Sequence, residues 1–585
     1  MIKNNGIFVL LFLLTTNHSY RSGSGPAFRP TRDSVPAVLT PTSETAAPTI
    51  GFFLDSWAPK QFIRPATQPA PAPDAPAAAT APAAPAAAST LTIFADSVIT
   101  RIPPVEFGHN ANTWMGTMTT QLMLMLHLHN LRPHVIRWPA GSGSDAYFWN
   151  CGPGGLPADV PAQLVNKDGK KESQQWFYGK PHDGYSASLD DYYSLLKETG
   201  NEGLITVNYG YARYSTAPDP VAAAAHLAAD WVRYDHGRTR YWEVGNENFG
   251  TWECGYRIDT GANKDGQPRI LSGELYGKHF CVIADSMRKA AAETGATIYI
   301  GAVTVEAPPH TWDMPITRDW NKGMLRAIHG QADYYVVHNY FTPYNKNSTA
   351  GEILHEAATV PGQMMSYVVQ CLGENGAAIK PVAMDEWNMF ATGSRQQVSN
   401  TSGLFAVLVM GEALRSKFGL CARWDLYNGW ADGNDHGLFS AGDEPGVMRW
   451  SPRPSFFYLY YMQRFLGDRL LNSRSAGDTS LRAYASSFSS GEIGTAIVNT
   501  SGKPAALAID IRHFTPGSHF YWYSLTGEGN DEFPRKVLVN GRTATTAAGG
   551  PVDYATLPAY TAPTNGGINI TVPARGAVFL VVEKK

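Results

Sequence analysis

Tyr241-Trp-Glu-Val-Gly-Asn-Glu-Asn-Phe-Gly-Thr-Trp252 is the stretch from which the fold can be read. Tyr241, Trp242 and Val244 favour a strand, Gly245 breaks the run, and Asn246 and Glu247 follow at once. A short apolar run ending in polar residues is how a strand of a buried parallel sheet reads when its carboxyl end opens onto a cleft. Seven further runs have this character: Val105-Glu-Phe-Gly-His-Asn110, His134-Val-Ile-Arg-Trp-Pro139, Leu204-Ile-Thr-Val-Asn-Tyr209, Thr297-Ile-Tyr-Ile-Gly-Ala302, Tyr334-Tyr-Val-Val-His-Asn-Tyr340, Pro381-Val-Ala-Met-Asp-Glu386 and Cys421-Ala-Arg-Trp-Asp-Leu-Tyr427. Helical patterns fall between them. Asp219-Pro220 is an N-cap followed by proline at the first helical position and opens 221–234; others run over 274–294, 319–329, 361–372 and 402–417. Eight strands alternating with helices predict an α/β fold, a (β/α)8 TIM barrel.

Composition changes mark the boundaries. The start, with Lys3 ahead of the apolar run Gly6–Leu14, predicts a signal peptide over 1–20 and a secreted protein, extracellular or periplasmic. Residues 21–64 read as a leader whose segment 51–62 concentrates Phe52, Phe53, Trp57 and Phe62 and is expected to dock on the folded body; 65–89 is an Ala/Pro-rich linker. The barrel is assigned to 90–455. Beyond it, alternating runs such as Ser480-Leu-Arg-Ala-Tyr-Ala-Ser486 and Gly576-Ala-Val-Phe-Leu-Val-Val582 predict a C-terminal antiparallel β-sandwich over 456–585.

A chain of 585 residues, 44% hydrophobic, has ample material for two domains, and a formal net charge of −3 with no basic stripe argues against a nucleic-acid partner. The five cysteines have no C-x-x-C spacing; Cys151 and Cys254 follow two predicted strands at one barrel face, where a bridge is conceivable. No metal site is expected: His127, His129 and His134 lack a carboxylate at ligand spacing, and Asp432-Gly-Asn-Asp-His-Gly437 departs from a calcium loop and reads as a loop lining the cleft.

Strand ends of such a barrel converge, so Glu247 on the fourth strand and Glu386 on the seventh should face each other across its mouth. Two opposed carboxyls are what retaining glycoside hydrolysis uses, one to protonate the leaving oxygen and one to attack the sugar. Glu247 is the acid/base candidate and Glu386 the nucleophile. Arg137 is expected to hold Glu386 ionised, Tyr340 to hydrogen-bond it, and Asn246 to reach a sugar hydroxyl; His338, Asn110, Trp252 and Trp424 complete the candidate substrate contacts. Glu243 is read as pairing with a buried base, and Asp385 as pointing away from Glu386. Trp114, Trp138, Trp149, Trp387 and Trp430 also lie near strand ends, offering flat faces for sugar rings.

These motifs resemble the clan A retaining glycoside hydrolases, most closely glycoside hydrolase family 51, which holds α-L-arabinofuranosidases and some endo-glucanases. The resemblance rests on 99–109 as the opening strand, Arg137-Trp-Pro-Ala-Gly141, Gly245-Asn-Glu-Asn-Phe-Gly-Thr-Trp252, His338-Asn-Tyr340 and Asp385-Glu-Trp-Asn388. It implies the same roles for Glu247 and Glu386, with Arg137, Asn246 and Tyr340 in support, acting on a polysaccharide or oligosaccharide without a cofactor. Two departures stand out. His109-Asn-Ala-Asn112 occupies the place of the family's sugar-binding glutamate, and Ala140-Gly-Ser-Gly143 the place of its Gly-Gly-Asn. They turn the expectation toward an endo-β-glycanase on a glucan or xylan, with arabinofuranosidase as the alternative and an inactive carbohydrate-binding protein as a further one.

Overall fold

The computed structural model describes residues 57–70, 89–139, 141–309, 315–430 and 435–585. The predicted signal sequence and most of the leader lie outside them. Eight parallel strands close a barrel in the order of the chain: β1 (Gly108–Asn110), β2 (Val135–Trp138), β3 (Glu202–Val207), β4 (Tyr241–Val244), β5 (Tyr299–Val303), β6 (Tyr334–Asn339), β7 (Val382–Trp387) and β8 (Leu420–Arg423), which returns to β1. Each falls within or against one of the eight runs read from the sequence.

Side-chain alternation builds two cores from these strands. Val135, Leu204, Tyr241, Tyr334, Ala383 and Leu420 fill the barrel floor together with Val105 and Val336. Their neighbours Ile136, Ile205, Trp242, Tyr335 and Cys421 point outward into the layer between strands and helices. One step above the floor, on the inward parity of β2 and β4, sit Arg137 and Glu243, wholly buried. The helices lie where crossovers require them, at Pro220–Asp235, Gly273–Thr294, Trp320–Ala327, Ala350–Glu374 and Asn400–Ser416. The fourth of these begins eleven residues before the predicted Pro361. Thr349 forms a reciprocal capping box with Glu352, which starts the helix there, and Pro361 is carried inside it.

The second domain differs from expectation at its N-terminal side. Ser89–Arg101, assigned from residue 90 on to the barrel, is a strand of the other sheet, pairing antiparallel with Arg469–Ala476 and parallel with Ala505–Arg512. Thr90-Leu-Thr-Ile93 alternates polar and apolar residues, the pattern of a sheet with one buried face and not of a doubly covered barrel strand. Within the stretch read as linker, Thr67–Pro69 adds to the sheet by pairing parallel with Ala559–Pro563. An edge position tolerates its proline. The sheet has eleven strands, mostly antiparallel, and strands distant in its order share one core: Leu91, Ile93, Leu481, Ile497, Leu507, Ile570 and Leu580. It folds on itself as a sandwich.

Residues 57–64 bind this body. Trp57 Nε1 donates to the Asp468 carbonyl at 3.0 Å, the Lys60 ammonium donates to the carbonyls of Gln463 and Leu466, and Phe62 lies among the rings of Phe465, Phe488 and Tyr521. Cys151 and Cys254 are not bridged, and all five cysteines are free thiols. No helix among the described residues is long and apolar enough to cross a membrane.

Candidate active site

The two glutamates reach the barrel mouth by different local devices. After β4 the chain turns at Gly245 with φ 81°, where a Cβ would come 2.0 Å from Asn248 Oδ1 and 2.7 Å from Tyr209 Cβ. Glu247 then takes φ 43°, a conformation a side-chain-bearing residue adopts at a cost. On β7, pairing with β6 steps from Val336↔Ala383 to His338↔Glu386, so one extra residue is accommodated between Ala383 and Glu386. The bulge changes the alternation predicted for Asp385. Asp385 does not point away; it stays inside the barrel, 3.7 Å from Arg137 Nε and 3.1 Å from His338 Nε2.

Arg137 is the hub beneath both glutamates. Its Nε donates to Glu243 Oε2 at 3.0 Å, Nη1 donates to Glu386 Oε2 at 3.0 Å and Asn110 Oδ1 at 3.1 Å, and Nη2 donates to Asn246 Oδ1 at 2.8 Å. Five N–H groups in a rigid fork suit this junction, and no other side chain would satisfy it. Asn110, predicted to contact substrate, is instead wholly enclosed: its Nδ2 donates to the carbonyls of Asp385 and Ala422. It braces Arg137 and has no surface to offer a ligand. Arg137 is equally enclosed and acts only through the groups it holds.

Above the hub, ligand-type atoms of Glu247, His338 and Glu386 all lie within 4.8 Å of one another. Tyr340 OH donates to Glu386 Oε1 at 2.6 Å and its ring stacks on Phe390 at 4.3 Å, so Glu386 accepts one hydrogen bond from Tyr340 and one from Arg137. Glu247 has no direct cation. Its Oε2 accepts from Trp252 Nε1 at 3.0 Å, and its Oε1 lies 2.9 Å from His338 Nδ1. Burial raises the Glu247 carboxyl above the usual glutamate range, opposed by the Trp252 hydrogen bond and the Arg137 charge. Burial likewise lowers His338 to about 4, with Glu386 opposing, so the ring is neutral near pH 7.

Three carboxyls that the sequence did not flag stand around this centre. Glu253 Oε1 accepts from Ser142 Oγ at 2.6 Å and Asn246 Nδ2 at 3.1 Å; burial, then the charges of Asp145 and Glu247, push its carboxyl well up. Asp145 receives Gly210 N at 3.0 Å and Asn248 Nδ2 at 2.6 Å, and burial lifts it to about 7. Glu306, beyond β5, is lifted by burial to about 7 and accepts from Asn339 Nδ2 at 3.3 Å. Asp145 and Glu253 end no apolar run, so strand-end logic does not find them; Glu306 does close the fifth run, continued through Val303-Thr-Val305, and was missed because that run was ended at Ala302. Asn246 is engaged at both ends of its amide, by Arg137 and by Glu253.

The tryptophans divide by position. Trp138, Trp149 and Trp387 are core residues, while Trp252 is 50% exposed beside Glu247. Trp424 presents its edge to Gly141, where a Cβ would lie 3.0 Å from the indole and 3.6 Å from Glu386 Oε2. Gly141 therefore keeps the floor beside Glu386 open. Of the loop 432–437, Asp432–Asn434 lie outside the described residues; Asp435 is buried in an ion pair with Arg453, and His436 meets the Tyr340 ring at 5.2 Å. His109 and Asn112, in place of the family's sugar-binding glutamate, are both buried.

No protein-family profile matches the chain. The solved structure of the α-L-arabinofuranosidase from Thermotoga maritima in its arabinose complex superposes over 85% of this chain and 100% of that one, with a TM-score of 0.59 at 15% identity. The fold is that of the arabinofuranosidases. The same architecture also extends to other specificities: CelM2, a bifunctional glucanase-xylanase from a metagenome library, covers 85% of this chain and 99% of its own at a TM-score of 0.56 and 12% identity. In sequence, the intracellular exo-α-(1→5)-L-arabinofuranosidase of Streptomyces lividans is 22% identical over 281 residues. That match takes in 45% of this chain, which spans only 37% of the curated relative's length. An arabinofuranosidase-type barrel and sandwich is thus the frame in which Glu247 and Glu386 are set.

Proposed function

We propose that the protein is a secreted retaining glycoside hydrolase in which Glu247 is the acid/base and Glu386 the nucleophile. The observation that carries the reading is the unequal treatment of two carboxyls whose oxygens lie within 4.8 Å: Glu386 receives a guanidinium and a phenol, and Glu247 is buried against a neutral imidazole. Separations near 5 Å suit double displacement, since inversion needs room for a water. Asp385 Oδ1, 3.1 Å from His338 Nε2 though not aligned as a hydrogen bond, favours the ring proton on Nε2. His338 Nδ1 is then an acceptor, and the 2.9 Å contact requires Glu247 Oε1 to be the donor. That is the proton to be given to the leaving oxygen. Glu386 attacks the anomeric carbon, the glycosidic bond breaks as Glu247 protonates the departing hydroxyl, and a glycosyl ester forms. Water, deprotonated by Glu247, then cleaves the ester and restores both groups.

An endo-β-glycanase acting on a glucan or xylan is the substrate reading, supported by burial of His109 and Asn112 where a terminal-sugar contact would stand and by exposed Trp252 next to the acid/base. Arabinofuranoside hydrolysis is the second reading, favoured by the named specificity of the similar proteins. Product analysis on β-glucan, xylan and arabinoxylan decides between them. Early release of oligosaccharides from an unbranched β-glycan is expected; arabinose alone from arabinoxylan would replace the first reading by the second. If wild type and Glu386→Ala are equally inert on the whole panel, the hydrolase reading itself fails.

A further inference from the structure

The centre has the donor set of a metal site as well as that of a glycosidase. We propose that Glu247, His338 and Glu386 bind a zinc-type divalent cation, which blocks the site that the preceding reading assigns to the sugar. The ligand atoms of all three lie within 4.8 Å of one another, with His338 Nδ1 2.9 Å from Glu247 Oε1 and 3.7 Å from Glu386 Oε2. Tetrahedral coordination at about 2.0–2.1 Å puts ligands about 3.3 Å apart, between those two distances, and the gap between the two glutamate oxygens, at most 4.8 Å, has to close to that value as the side chains turn onto the ion. Three protein ligands leave a fourth position for water.

Two features beyond the cluster point to this ligand. Asp385 Oδ1 stands 3.1 Å from His338 Nε2, behind the ring, in the place of the outer carboxylate of a carboxylate–histidine–metal arrangement; both atoms are buried without a hydrogen-bond partner, and a small turn of the ring would join them and direct the Nδ1 lone pair at the two glutamates. The surroundings are cation-seeking as well: among the described residues Arg137 is the one arginine or lysine in an ion pair with Glu243, Asp385 or Glu386, and Glu247 faces only the neutral His338. Arg137 Nη1 uses one lone pair of Glu386 Oε2 and leaves the other for the metal. Glu247, with 16% of its side chain exposed, opens the way in. One imidazole and two carboxylates select zinc or a similar transition cation over Mg2+ and Ca2+, which take oxygen ligands and gain little from an imidazole nitrogen.

Binding is measured by titration calorimetry of the full chain with ZnCl2 and MgCl2, and by anomalous scattering at the zinc edge. One zinc per chain is expected, centred between Glu247, His338 and Glu386, with no Mg2+ bound at the same concentration. His338→Ala should weaken zinc binding at least 10-fold. Asp385→Asn, which keeps all three ligands, should weaken it by about 10- to 100-fold, as loss of an outer carboxylate does. Circular dichroism establishes that each variant is folded. Where the chain hydrolyses a glycan, zinc should inhibit competitively and chelator should restore the rate, with Cys151→Ser/Cys281→Ser unchanged in both. No zinc bound by the wild type, zinc located only at thiols or surface histidines, or undiminished affinity in folded His338→Ala and Asp385→Asn would each overturn the proposal. Calorimetry and scattering read the site without turnover, so an inactive chain that binds zinc here contradicts the hydrolase reading and leaves the metal site standing.

Discussion

Glu247 and Glu386 are the same residue type in one cleft, and what separates them is their partners. Their positions were legible because each closes an apolar run, and Arg137, His338 and Tyr340 were legible for the same reason. Asp385 was misread because strict alternation places it opposite Glu386, and nothing in Pro381-Val-Ala-Met-Asp-Glu announces the bulge that keeps both inside. Asn110 was misread because a strand-end amide looks alike whether it faces a ligand or braces an arginine. The role given to His338 has a signed consequence. Its Nδ1 accepts from protonated Glu247 and so stabilises the neutral acid, adding to the elevation that burial causes. Activity needs that proton and is lost as pH rises through the elevated value. His338→Ala should therefore move the basic limb of the kcat/KM profile to lower pH, and the profile is the measurement. A shift to higher pH would mean that His338 had been donating to an ionised Glu247.

At the scale of elements, the parallel barrel was readable strand by strand, since every run is short, apolar and punctuated. The partition between sheets was less so: Ser89–Arg101 precedes the barrel in sequence yet belongs with strands beyond residue 465, and only its polar–apolar alternation distinguishes it. Long-range pairing of this kind leaves little trace in local sequence. The segment 57–64 is held by a few anchors, and Phe62, seated among Phe465, Phe488 and Tyr521, is the main apolar one. Phe62→Ala should cost about 2 kcal/mol, below the range for a fully buried phenylalanine because Phe62 is only half-buried. Thermal unfolding measures it. Hydrolysis should be unchanged, as the segment touches no residue of the cleft.

For the molecule as a whole, the sandwich is stitched to the barrel from both ends of the chain. Ser89–Arg101 leads through a short turn at Pro104–Glu106 into the barrel's first strand and lies between strands 469–476 and 505–512, so the sandwich sheet is not continuous without a segment that precedes the barrel in the chain. A chain beginning at residue 102 should lose the central partner of two strands, expose Leu471, Leu507 and Ile509, and be recovered as aggregate or with a much lowered Tm. A chain beginning at residue 89 should retain the sandwich core and fold. In the proposed reaction Glu386 attacks the sugar while Glu247 supplies and then removes the proton. The most direct measurement is the configuration of the first product, followed by 1H NMR of the anomeric proton during hydrolysis in D2O. Double displacement predicts that the anomer released first has the configuration of the bond cleaved, with mutarotation following; first release of the opposite anomer would contradict it.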